Sequence, residues 1–126
     1  MFANLISVAL GGAIGASLRY MTGIGVVRML GHTGFPVGII LVNVLGSLLM
    51  GVFVVAAAHR GLTHLSPFVM TGLLGGFTTF SAFSLEAVTL YERGDVAQAA
   101  LYVVLSVTLS IAGLFIGLWM ARAVFA

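Results

Sequence analysis

A chain of 126 residues that is 61% hydrophobic, 6% charged and has a mean hydropathy of +1.24 cannot hide its apolar surface inside one small soluble core, so lipid is its solvent. The formal charge of +2 comes from five arginines and no lysine, scattered singly, which excludes a polybasic patch for nucleic acid or anionic lipid. With no cysteine there is no disulfide framework, thiolate metal site or thiol nucleophile, and the redox compartment cannot be inferred.

Four apolar stretches follow in chain order: Phe2 to Val27, Phe35 to Ala58, Pro67 to Tyr91 and Val96 to Val124. Each exceeds the ~20 residues a membrane helix needs. The first lacks the basic n-region of a removable signal and is read as mature structure. Turns are expected at Arg28 to Gly34, His59 to Ser66 and Glu92 to Asp95, giving one all-α, four-helix membrane domain over residues 1–126 without internal repeats. Both termini then share a side. Arg60 and Arg122 fall on that side and Arg28 and Arg93 on the other, two against two. A balanced positive-inside signal predicts insertion in both orientations and antiparallel pairing, unless Arg19 or the N-terminal amine breaks the tie.

Small residues four apart recur in every span, Gly11 with Gly15, Ser47 with Gly51, Gly72 with Gly76 and Gly113 with Gly117, as tight helix packing in lipid requires. The third span carries more. Its run from Gly72 to Ser81 places glycines and then Thr78 and Thr79 near the middle of a segment that should be continuously helical, with a break expected over residues 75–79. Unwound backbone at membrane depth survives only inside protein or beside a wet cavity, and it can offer carbonyl oxygens to small cations. A flexible packing cluster would use the same glycines.

On the fourth span Gln98, Tyr102, Ser106 and Ser110 recur every four residues and form one hydrogen-bonding stripe. Asn43 and Ser47 share a face of the second span. On the third, Phe80 and Phe83 lie beside Ser81 and Ser84. A single serine in a membrane helix usually bonds its own backbone. The regular spacing together with an intramembrane Asn favours a lined pathway. Hydroxyl and amide donors and the positive edges of phenylalanine rings suit an anion, and the only acidic residue within a span is Glu86, near the outer end of the third. Arg19 is placed to attract an anion, to bond Asn43 or to reach the interface, the structural roles being favoured.

The strings Gly75-Gly76-Phe77-Thr78-Thr79-Phe80-Ser81-Ala82-Phe83-Ser84, Gly11 to Tyr20 and Val42 to Ser47 closely resemble the CrcB/Fluc fluoride channels, and the match spans all four helices. The resemblance implies a double-barrelled antiparallel homodimer in the microbial inner (plasma) membrane that exports fluoride passively and limits its toxicity. It assigns Phe80 and Phe83 as pore phenylalanines, Asn43 as a donor to the ion, and Ser81, Tyr102, Ser106 and Ser110 to the polar track. It also implies a structural sodium ion at the dimer interface, held by the backbone carbonyls of Gly75 and Thr78, with Arg19 and Glu86 as structural or vestibule groups. Ile39 and Ala82 depart from the family pattern, where hydroxyls are usual.

Two other classes compete. A four-helix exporter of the small multidrug-resistance type would share size and dual topology, but it needs a carboxylate in its first span, which has none. An enzyme is disfavoured because His32, His59 and His64 all sit in or beside loops, with no nucleophile and base at one depth.

Overall fold

A computed structural model describes residues 1–32 and 34–125; Thr33, inside the first expected turn, and Ala126 lie outside the described residues. The chain is all-helical, with four segments long and apolar enough to cross a membrane: α1 (Phe2–Leu30), α2 (Val37–Arg60), a composite third span within Thr63–Glu92, and α5 (Val96–Phe125). The helices outrun the expected spans at several ends. α1 continues to Leu30, where Gly31 closes it with a positive φ of 73°, and α2 continues to Arg60 and ends at left-handed Gly61. Phe35, expected to open the second span, instead precedes the helix in the connecting turn.

The third span is assembled from unlike pieces. After a 3₁₀ turn at Thr63–Leu65, Pro67 opens a π-helix through Leu74, its missing N–H falling where a helix has no use for one. A single α turn, α3 (Gly75–Phe77), follows, then extended backbone at Thr78 (φ −86°, ψ 162°), and then α4 (Ser81–Glu92). The span therefore bends at Thr78–Phe80, and the glycines expected to open the helix stay helical. Their lack of a side chain is used for docking. A Cβ on Gly76 would lie 2.8 Å from the Gly12 carbonyl oxygen, and one on Gly72 would lie 2.8 Å from that of Val8. α1 and the first half of the third span thus meet backbone to backbone.

α2 and α5 pair in the same manner along their length, with Gly51 facing the Leu118 amide and Gly117 facing that of Val52. α4 leaves α1 and packs on α5. Few side chains are buried within one chain; among them, Leu90, Ala99 and Tyr102 form a cluster beneath Phe35, Ile39, Ile40, Phe83 and Ala87. Most large apolar side chains point outward, as they do when the solvent is lipid. Arg28 and Arg93 come together at one end of the bundle, while Arg60 lies over the Phe125 ring at the other, 5.1 Å from its centroid.

Candidate functional site

Two cavities meet at the bend. The first, about 360 Å³, sits at mid-span; Asn43, Ser47, Thr79, Ser106 and Ser110 supply its polar wall and Phe80 and Phe83 its aromatic one. The second, about 860 Å³, opens at the Arg28 and Arg93 end and is lined by Arg19, Arg28, Arg93, His32 and Glu86 among apolar residues. Thr79 lines both.

Aromatic rings bridge the two spaces. Phe80 and Phe83 have centroids 5.5 Å apart, Phe83 and Tyr102 5.3 Å, and Tyr102 meets Phe35 edge-on at 5.7 Å, where Phe35 borders the larger cavity. Phe80 is 77% exposed on the single chain although it lies at the middle of the third span. Beside this row lie two buried hydroxyls, Tyr102 Oη and Ser106 Oγ, near enough to interact with each other but without a well-aligned hydrogen bond among the described residues. Buried hydroxyls held only by a weak contact with each other leave this wall with spare hydrogen-bonding capacity.

The bend is held by long-range hydrogen bonds. Asn43 grips one peptide with both ends of its amide: Nδ2 donates to the Thr79 carbonyl at 2.9 Å, and Oδ1 accepts the Thr79 N–H at 2.8 Å. One Nδ2 hydrogen remains for the cavity. Thr79 Oγ1 accepts the Ala82 N–H at 3.1 Å, capping the start of α4. Arg19 Nε donates to the Gly76 carbonyl at 3.1 Å, tying α1 to the turn before the bend. The Thr78 hydroxyl returns to the Leu74 carbonyl at 2.9 Å, and the Thr78 methyl fills the space left by Gly46.

These bonds bear on whether the residues suit a cation. In a continuous α-helix the Thr79 N–H would bond the Gly75 carbonyl, and the Ala82 N–H would bond that of Thr78. Both donors are diverted to side chains, so the two carbonyls named for a sodium ion lose their helical partners. Carbonyl oxygens released at a membrane-depth helix interruption suit a small hard cation, and the donor set fits sodium.

The expected residues gather unevenly. Asn43, Phe80, Phe83, Ser106 and Ser110 line the smaller cavity, and Tyr102 backs it through Phe83. Ser81 is exposed and lines neither cavity, its hydroxyl 3.5 Å from that of Thr79. Ser84 bonds its own backbone at the Phe80 carbonyl, 3.0 Å away, and Gln98, first of the α5 stripe, is exposed. Arg19 and Glu86 share the larger cavity with Ala82 and Ile39. Sequence reasoning passed over Thr79 as a site residue; its signal was a hydroxyl three residues before Ala82, the spacing of a side chain that caps a helix start. It also missed Arg28 and Arg93 as cavity residues, since two separate turns bring them together. Arg93 spans that mouth, donating to the Gly34 carbonyl at 2.9 Å and lying 3.7 Å from Asp95.

Fold and site define a small multi-pass membrane protein with a hydroxyl- and aromatic-lined cavity midway along its helices and a second, arginine-bearing cavity at one end. The family described as "CrcB-like protein, Camphor Resistance (CrcB)" matches residues 6–118, and the chain belongs to it. A protein of Ruegeria sp. (strain TM1040) named fluoride-specific ion channel FluC is 70% identical over 124 residues, 98% of each chain. One of the same name from Roseobacter denitrificans is 72% identical over 123 residues, covering 97% of this chain and 98% of the relative. Another from Cereibacter sphaeroides (strain ATCC 17029 / ATH 2.4.9) is 60% identical over 126 residues, covering 96% of this chain and 100% of the relative.

Proposed function

We propose that this chain is a fluoride-selective channel that lets fluoride leave the cell passively through the inner membrane and so limits its toxicity. The observation that carries the reading is a conjunction at one depth: the buried hydroxyls of Tyr102 and Ser106, without well-aligned bonds, lie beside Phe80, Phe83 and the spare Asn43 donor. A small anion needs several donors to replace its water, and these are donors not committed to well-aligned bonds within the chain. The full-length similarity to proteins named fluoride-specific channels agrees.

In this mechanism the arginines of the vestibule raise the local anion concentration. Fluoride exchanges water for Asn43, Ser106 and Ser110, passes the ring edges of Phe80 and Phe83, and leaves down its gradient. Donors are fixed in place by the Asn43 grip on Thr79, so little reorganisation accompanies each passage. Phe80, largely exposed on one chain, is completed by a second, antiparallel copy, giving a double-barrelled dimer. Gly75 and Thr78 of both copies would hold a structural sodium ion, which would supply a fixed positive charge and bridge the subunits. Glu86 shapes the vestibule. Ser81, at the edge of the bend, joins the track in the dimer.

Liposomes holding the purified protein, loaded with fluoride or with chloride and given an ionophore for the compensating cation, test the reading. Rapid fluoride release with chloride retained is the expected result. Retention of fluoride by assembled protein would return the chain to the exporter class.

A further inference from the structure

The bend in the third span is lopsided in its hydrogen bonding. A kink made by glycine or proline strands carbonyls and, for glycine, N–H groups alike. Here the N–H groups of Thr79 and Ala82 are both satisfied, by Asn43 Oδ1 at 2.8 Å and Thr79 Oγ1 at 3.1 Å, while the carbonyls they would have served in a helix are not repaid by the same groups. Two neighbouring carbonyls are claimed by side-chain donors, that of Gly76 by Arg19 and that of Thr79 by Asn43. Those of Gly75 and Thr78 lie between and before them, and the Thr78 backbone is kept extended (φ −86°, ψ 162°) by its own hydroxyl on Leu74 and its methyl against Gly46. The bend therefore presents unmatched acceptors, and unmatched acceptors at membrane depth attract a cation.

We infer that Asn43 and Thr79 are the positioning residues of the cation site: by accepting the Thr79 and Ala82 N–H groups they release the Gly75 and Thr78 carbonyls to a small cation. The inference rests on the sodium reading above and adds what builds the site. It has a consequence for the channel. Asn43 also lines the 360 Å³ cavity, and Thr79 lines both cavities. One amide thus sets the cation site with its oxygen and faces the anion path with its nitrogen. Coupling between the two sites through this amide is reciprocal: occupancy of either changes the affinity of the other by the same factor.

The test is thermal unfolding of the full-length protein, titrated with sodium against N-methylglucamine at constant ionic strength. Wild type is expected to gain stability as sodium replaces the bulky cation. Thr79→Val keeps the shape but removes the acceptor, and its half-maximal sodium concentration should rise by at least about tenfold; Thr79→Ser, which restores the hydroxyl, should return it to the wild-type value. Asn43→Leu should act as Thr79→Val does, and if that variant does not assemble, the two Thr79 variants decide. Thr79→Val with the wild-type midpoint would overturn the roles assigned to Asn43 and Thr79 and leave the sodium reading standing. Wild type indifferent to sodium would overturn both.

Discussion

The two halves of the third span use glycine and hydroxyl in opposite ways. Up to Phe77 the chain is docked on α1 by backbone: a Cβ on Gly15 would lie 2.9 Å from the Phe77 amide nitrogen, and one on Gly11 would lie 2.9 Å from that of Leu73. Beyond Thr78 the chain leaves α1 for α5, and side chains hold it, through the Asn43 grip, the Thr79 cap and the Phe83 to Tyr102 stack. In the first half Gly72 and Gly76 have no room for an added atom, and none of its side chains lines either cavity. The second carries aromatics and hydroxyls loosely enough to face a cavity. Close packing and a lined pathway are thus separated along one helix, and the bend is where one gives way to the other.

The largest effect expected from disturbing this division is at Gly15. A Gly15→Leu side chain meets backbone that has nowhere to move, so the cost should exceed the ~3 kcal/mol usual for overpacking, and size-exclusion chromatography should show no assembled protein. The same replacement at Gly23, which faces nothing within 4 Å, should leave assembly intact. Next in size is Ser106→Ala. Removing a buried hydroxyl whose nearby hydroxyl is that of Tyr102, without a well-aligned bond, should leave thermal stability within about 1 kcal/mol while lowering fluoride flux. A larger fall in stability alongside the loss of flux would show that the hydroxyl is structural. The smallest is Ser84→Ala, whose hydroxyl is already spent on the Phe80 carbonyl; flux should stay within about twofold of wild type, under 0.5 kcal/mol in barrier. A large loss there would move the pathway to the outer face of α4.

The four spans were legible because hydropathy over ~20 residues is a property of the segment alone. The position of the bend was legible only to within a few residues. Gly75 and Gly76 look like the weak point by propensity, yet Gly76 is pinned against Gly12, and the chain yields at Thr78, where Asn43 offers a replacement for the helical bond. That trade depends on a partner 36 residues away, beyond any local pattern. The stripe on α5 shows the same limit. Spacing put Gln98, Tyr102, Ser106 and Ser110 on one face, but only the packing of Phe83 and Phe35 around Tyr102 decides which of them are buried. The vestibule arginines were visible as counters of topology, and their meeting at one mouth follows from how two turns fold toward each other.

The central claim is that fluoride passes the Phe80 and Phe83 rings, and the most direct measurement is fluoride efflux from liposomes holding Phe80→Ile beside wild type, with the amount of assembled protein matched by size-exclusion chromatography. Isoleucine is apolar but has no positive ring edge, so efflux should fall by at least about a hundredfold, near 3 kcal/mol in barrier, with assembly intact. Undiminished efflux from assembled Phe80→Ile would take the rings out of the pathway and contradict the account.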